Sequence, residues 1–176
     1  MKKIITLTAG HSNSDSGAVA NGLQENQLAT ELRNITAGKL KALGYTVRTD
    51  GTGLINQILQ AAIALIRGSD IAVEIHFNAA ASKTAKGVET IALPKDKALA
   101  QKLSQEIAGV LGITVRGDKG FIDQSQSARG KLGFVAKGGL IIEVCFISNP
   151  DEIAAYQAKK WLVASAIANT LHGYLQ

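Results

Sequence analysis

Apolar residues occur along the chain in two rhythms. Short, nearly continuous runs rich in β-branched residues occupy 4–9, 45–48, 71–77, 87–93 and 140–146. Such runs predict strands, and strands apolar at successive positions are buried on both faces, as in a parallel sheet. Between them lie longer segments with apolar residues three or four apart. Residues 25–43 carry Leu28, Leu32, Ile35, Leu40 and Leu43 and stop at Gly44. Residues 54–66 repeat the pattern up to Gly68, and 95–111 repeat it through Leu99, Leu103, Ile107 and Val110 up to Gly112. These predict amphipathic helices with glycine terminators. Ser148, Asn149, Pro150, Asp151 and Glu152 form a helix-start signal, with a capping side chain, proline in the first turn and then acids. A last helix is expected over 159–174, packing through Trp161, Ile167 and Leu171. From 117 to 137 Gly, Asp, Ser and Gln dominate, which predicts loop with a short helix near 127–135. Strands alternating with helices imply an α/β fold: a single-domain, twisted, mostly parallel sheet of about six strands with helices on both faces.

Composition narrows the picture. A chain of 176 residues is the length of one domain, expected to span 1–176 with no separate wall-binding domain. With 46% apolar and 19% charged residues it can bury a sizeable core. The net charge of +5 favours anionic partners without choosing among them. Cys145 is the single cysteine, which excludes a disulfide framework or a multi-cysteine metal cage. Lys2 and Lys3 precede an apolar run that is too short for a leader and passes at once into Gly10 and His11, so it reads as a first strand. No run of about 18 apolar residues predicts a membrane-spanning helix. A monomer is expected.

Chemistry-bearing residues fall where such a sheet places its sites. His11, His76 and Glu143 lie at or just beyond strand carboxyl ends. An ionisable group inside a buried strand is costly unless it has a partner or a role. Two imidazoles at strand ends suit a divalent transition metal, and the plainer reading is a pair of hydrogen-bonded histidines. Glu25 shares the core-facing stripe of Leu28 and Leu32, whereas Glu31, six residues on, is turned well off it. Glu25 is therefore the preferred third ligand. Glu143, flanked by Ile142 and Val144, is either a structural ion pair with a base such as Arg129 or a proton shuttle beside a metal site. Cys145 reads as a small buried residue and His172 as structural or solvent-facing. Few aromatics lie outside core positions, which argues against a platform for nucleic acid, so none is expected as partner.

Four motifs in order carry a resemblance: Ala9-Gly10-His11 after a strand, Gly22-Leu23-Gln24-Glu25 opening a helix, Ile75-His76-Phe77-Asn78-Ala79, and Glu143-Val144-Cys145-Phe146-Ile147-Ser148-Asn149. Over essentially its whole length the chain resembles the zinc-dependent N-acetylmuramoyl-L-alanine amidases, a family that includes bacterial cell-separation amidases and many phage endolysins. The resemblance implies one zinc ion bound by His11, Glu25 and His76. It also implies Glu143 as the catalytic carboxylate, serving as general base and then acid toward zinc-activated water. The substrate implied is peptidoglycan, cut between N-acetylmuramic acid and L-alanine; no substrate-binding residue is assigned. The family usually opens with Asp-Pro-Gly-His-Gly-Gly, where this chain has Leu7-Thr8-Ala9-Gly10-His11-Ser12-Asn13. It usually has a small residue where Glu74 stands, two residues before His76 and on the same strand face. Glu74 is expected to orient an imidazole, the alternative being a rival ligand. The short 79–86 connection leaves no room for a long self-blocking element. Rival readings are a zinc-dependent peptidase or deacetylase, or a non-catalytic basic module that binds wall polymer or nucleic acid. A compact catalytic unit of this kind suggests a phage lysis enzyme made in the host cytoplasm and acting at the wall after release; a mature secreted bacterial enzyme is the alternative.

Overall fold

A computed structural model of the chain describes residues 2–127 and 130–176. Among the described residues eight strands and five α-helices follow one another. They are β1 (Ile4–Ala9), β2 (Val19–Ala20), β3 (Leu23–Gln24), α1 (Glu25–Ala42), β4 (Thr46–Arg48), α2 (Leu59–Leu65), β5 (Ile71–Asn78), β6 (Glu89–Ala92), α3 (Lys97–Leu111), β7 (Phe121–Asp123), α4 (Gly133–Ala136), β8 (Leu140–Phe146) and α5 (Pro150–Leu175). Six strands form one sheet in the order β4-β1-β5-β8-β6-β7, and β2 and β3 form a separate hairpin. Every neighbouring pair in the large sheet is parallel except β6 and β8. The mostly parallel α/β sheet expected from the hydrophobic runs is therefore present.

Alternation along the strands divides the side chains between two faces. Ile5, Leu7, Val73, Ile75, Ile142 and Val144 meet Leu28 and Leu32 of α1, Leu103 and Ile107 of α3, and Ile167 and Leu171 of α5 in the main core. The opposite face carries a smaller cluster in which Ala72, Ile91 and Ile141 pack on Ala62 of α2 and on Phe134 and Val135 of α4. Thr8, Glu74, His76 and Glu143 belong by alternation to this second face. The short helices α2 and α4 build a thinner layer than the three long ones, which leaves room for a polar site at the carboxyl ends of β1, β5 and β8.

Four local expectations are corrected. The helix expected over 54–66 begins only at Leu59, because the preceding residues are drawn into hydrogen bonds with the loop after β1: Asn13 N donates to Asn56 O (3.0 Å) and Asn56 N donates to Asn13 Oδ1 (2.7 Å). The last helix does not start at 159. It runs from Pro150, where the Asn149 side chain caps Asp151 N and Glu152 N, so the start signal and the apolar segment belong to one element. Trp161 is not a packing residue of that helix; it is 61% exposed, whereas Ile167 and Leu171 are fully buried. Within 117–137, read as loop, Phe121–Asp123 form an edge strand paired with β6, and the short helix is Gly133–Ala136. Three residues bounded by turns give too little periodicity to be recognised without a partner strand.

Candidate metal centre

His11 occupies a turn fixed from several sides. After β1, Gly10 N donates to Ile75 O (2.8 Å), Asn56 Nδ2 donates to Gly10 O (2.9 Å), and Asn26 Nδ2 donates to Ser12 O (2.9 Å). Ala9 N donates to the carboxylate of Asp50, which also receives Arg33 Nη1 at 2.8 Å. Arg33 and Asp50 are almost completely buried. Burial pushes the Asp50 carboxyl up, with the Arg33 charge opposing the shift. This framework holds His11 at φ 68°, a left-handed conformation that costs a non-glycine residue about 1–2 kcal/mol. The result is an imidazole turned back over the end of the sheet.

The β2–β3 hairpin reverses the chain at Asn21 and Gly22 and delivers Glu25 as the first residue of α1. The Glu25 carboxylate is buried and spans both imidazoles: Oε2 lies 2.9 Å from His11 Nε2, and Oε1 lies 3.0 Å from His76 Nδ1. Ala18 N and Phe77 N donate to the same two oxygens, each at 3.0 Å. The second nitrogen of each imidazole also meets a carboxylate. His11 Nδ1 is 2.9 Å from Asp15 Oδ2, and His76 Nε2 is 3.0 Å from Glu74 Oε2. Glu74 thus sits across the ring from Glu25, where an orienting partner belongs. Asp15 was not singled out in the sequence; its only signal is its place four residues after His11 in a polar turn. Glu31, turned away from the stripe, pairs instead with Lys160.

Two glycines make this convergence possible. A Cβ at Gly10 would stand 2.3 Å from the His76 ring. One at Gly17, whose φ is 63°, would stand 2.5 Å from the His11 ring and 2.7 Å from Glu25 Oε2. Side chains are excluded where the three functional groups meet. One donor atom from each of His11, Glu25 and His76 lies within 4.8 Å of the others, close enough to share one ion. Two imidazoles and a carboxylate are a donor set suited to zinc.

Electrostatics agree with a cation site. Burial alone would raise the Glu25 carboxyl, but hydrogen bonds from both histidines hold it well below the usual carboxylate range. The Glu25 hydrogen bond raises His11 against the opposing effect of burial. His76 is raised well above its ordinary value: burial opposes, and the bonds to Glu25 and Glu74 prevail. In the absence of metal, protons on the rings supply the positive charge that these carboxylates require.

Glu143 lies in β8 as the register partner of His76, and across the antiparallel junction it is also the register partner of Glu89. It is thereby brought to the face and edge where the three possible ligands meet. Arg129, its suggested ion-pair partner, lies outside the described residues. Cys145 is completely buried, and burial first, then Glu152 and Glu143, pushes its thiol far up, the setting of a small packed side chain and not of an activated thiolate. His172 is remote from the site, bonded through Nδ1 to Tyr45 OH at 2.8 Å.

Known proteins share the sequence pattern and fold of this chain. The family model for N-acetylmuramoyl-L-alanine amidase matches residues 5–172. The chain is 27% identical to the N-acetylmuramoyl-L-alanine amidase LytC of Bacillus subtilis over 96% of its own length and 34% of LytC. It is 28% identical to the endolysin of Bacillus phage SPP1 over 92% of its length and 61% of the endolysin. The chain therefore spans about a third and about three fifths of these two relatives. A solved structure of a candidate N-acetylmuramoyl-L-alanine amidase from Neisseria meningitidis is 44% identical, with a TM-score of 0.91, covering 98% of this chain and 96% of that one. With the family model matched from the first strand to the last helix, the chain belongs to the N-acetylmuramoyl-L-alanine amidase family.

Proposed function

We propose that this chain hydrolyses the amide joining the lactyl group of N-acetylmuramic acid to L-alanine in peptidoglycan. His11, Glu25 and His76 would hold one zinc ion, and Glu143 would act as general base and then general acid. The observation that supports this most directly is the convergence of two imidazoles and one carboxylate, each imidazole braced on its far nitrogen by another carboxylate. Three protein ligands are what catalytic zinc sites use, since structural sites close all four positions. When bound there, zinc supplies a Lewis acid that polarises the amide carbonyl and lowers the pKa of water to about 7.

The chain's own residues do the rest. Glu143, one strand away from His76 and so about 5 Å across the sheet, accepts a proton from the attacking water. It returns that proton to the alanine nitrogen as the carbon–nitrogen bond breaks. Glu74 and Asp15 hold the two rings in a fixed tautomer and orientation. The site of action is the cell wall, and the chain acts as one catalytic domain. Product analysis on purified peptidoglycan, coupled to metal analysis, tests the reading. The expected products are free stem peptides, released with zinc present and not after its thorough removal. Full-rate cleavage without zinc, or cut cross-bridges with intact muramoyl amides, overturns it. Salt-sensitive binding without turnover would instead favour a binding module.

A further inference from the structure

The edge of the sheet that carries the candidate metal centre also carries a cation that the proposed mechanism leaves unused. Arg116 follows Val115, which bridges Val88 just before β6, and Arg116 N donates to Val88 O at 2.9 Å. Its side chain runs back over the sheet. Nε donates to Glu89 Oε2 at 2.5 Å, Nη1 donates to Lys86 O at 3.3 Å, and Cζ stands 5.0 Å from the centroid of the Phe146 ring. Phe146 is the register partner of Asn78, and Asn78 Nδ2 donates to the other oxygen of Glu89 at 3.2 Å. The guanidinium is thus held over the end of β8, beside β5 at a point two residues beyond His76. Two residues of strand are about 7 Å.

A half-exposed ion pair contributes little stability, so stability alone is a weak reason for this placement. The Arg116 side chain remains 43% exposed although three partners fix its plane. A planar guanidinium preorganised by stacking and hydrogen bonds is suited to receive a carboxylate. Glu25, Glu74, Glu89 and Glu143 lie on or beside the same face as His76, and Arg116 sets a fixed positive charge at the edge of this acidic surface. One further residue of an extended peptide spans about 3.3–3.6 Å, and an acidic side chain extends that reach towards the strand position two residues beyond His76, where Asn78 and Phe146 meet Glu89 and Arg116.

We propose that Arg116 binds a carboxylate on the stem-peptide residue that follows L-alanine and so selects stems that are acidic at that position. The inference rests on the amidase reading above. Its test uses the zinc-loaded full chain and two synthetic N-acetylmuramoyl peptides that differ only in a carboxylate or a carboxamide on that residue. A lost charge-assisted hydrogen bond is worth about tenfold or more in binding, so the wild-type KM for the carboxamide peptide should exceed that for the carboxylate peptide by about that factor. In Arg116→Gln this ratio should collapse towards one, through KM rather than kcat; Arg116→Lys should retain part of it. Equal wild-type KM values for the two peptides, or an unchanged ratio in Arg116→Gln, overturn the role of Arg116 while the amidase reading stands. Cleavage of neither peptide by the wild type overturns both. If Arg116→Gln does not fold, the wild-type pair of substrates decides alone.

Discussion

Both imidazoles at the candidate centre are engaged at both ring nitrogens, Glu25 on the inner side and Asp15 or Glu74 on the outer. This gives each residue a distinguishable consequence on substitution. His76→Ala removes a donor atom and should abolish both zinc retention and peptidoglycan cleavage. Glu143→Gln keeps the shape of the pocket and should retain zinc while lowering kcat about 10²–10⁴-fold, the usual size of a general acid–base contribution. Zinc content measured beside turnover checks the pair, and equal metal loss in both variants contradicts the separation of roles. Glu74→Ala leaves every inner donor in place yet frees the His76 ring, so zinc affinity should fall about 10–100-fold in a competitive chelator titration. Unchanged affinity would reduce Glu74 to a bystander.

Among elements, the segment before α2 shows how tertiary hydrogen bonding overrides apolar spacing. Leu54 and Ile58 sit at helical spacing, but they are 88% and 55% exposed, because the backbone between them serves the His11 turn. Arg33 Nη2 donates to Ile55 O at 2.8 Å, and Asn56 bonds the turn through both its side chain and its backbone. The Arg33–Asp50 pair therefore joins α1, the chain after β4 and the end of β1. Asp50→Ala leaves a buried guanidinium without its counter-charge and should cost about 3–5 kcal/mol in chemical denaturation of the metal-free protein. A loss below about 1 kcal/mol would show that the pair does not hold the turn. By contrast α5 begins where its local signal says, since the Asn149 side chain accepts from Asp151 N and Glu152 N and Pro150 has no N–H to satisfy.

At the scale of the whole molecule, stability and metal binding are linked to pH through the same groups. In the metal-free protein His11 and His76 are raised above the ordinary value of 6.5, so their stabilising contribution is complete below 6.5 and is lost as pH rises through their folded values. Glu25 is depressed from 4.5, so its contribution holds above 4.5 and is lost as pH falls through its folded value. Zinc must displace the ring protons, and its affinity should therefore rise with pH across the neutral range. At 100 times Kd a ligand stabilises by about 2.7 kcal/mol, which for a domain of this size is a Tm increase of about 5–10 °C. Thermal melts at fixed zinc should show this increment growing from pH 6 to pH 8. An increment independent of pH would mean that the ion binds without competing with protons at these histidines.

Periodicity and local signals were sufficient to recognise the five principal strands, the three long helices, the order in which they come, and the residues whose polarity breaks an apolar run. His76 and Glu143 stand out because a buried strand tolerates an ionisable side chain only for a reason, and Glu25 because it interrupts an apolar stripe. Those are one-dimensional facts, visible wherever burial has a fixed period. The edge strand Phe121–Asp123, the unwinding before α2, the exposure of Trp161, and the partnerships of Asp15 with His11 and of Arg116 with Glu89 have no such period. Pairing register, close approach at Gly10 and Gly17, and hydrogen bonds between distant segments decide them, and these arise only once the sheet has brought its carboxyl ends together.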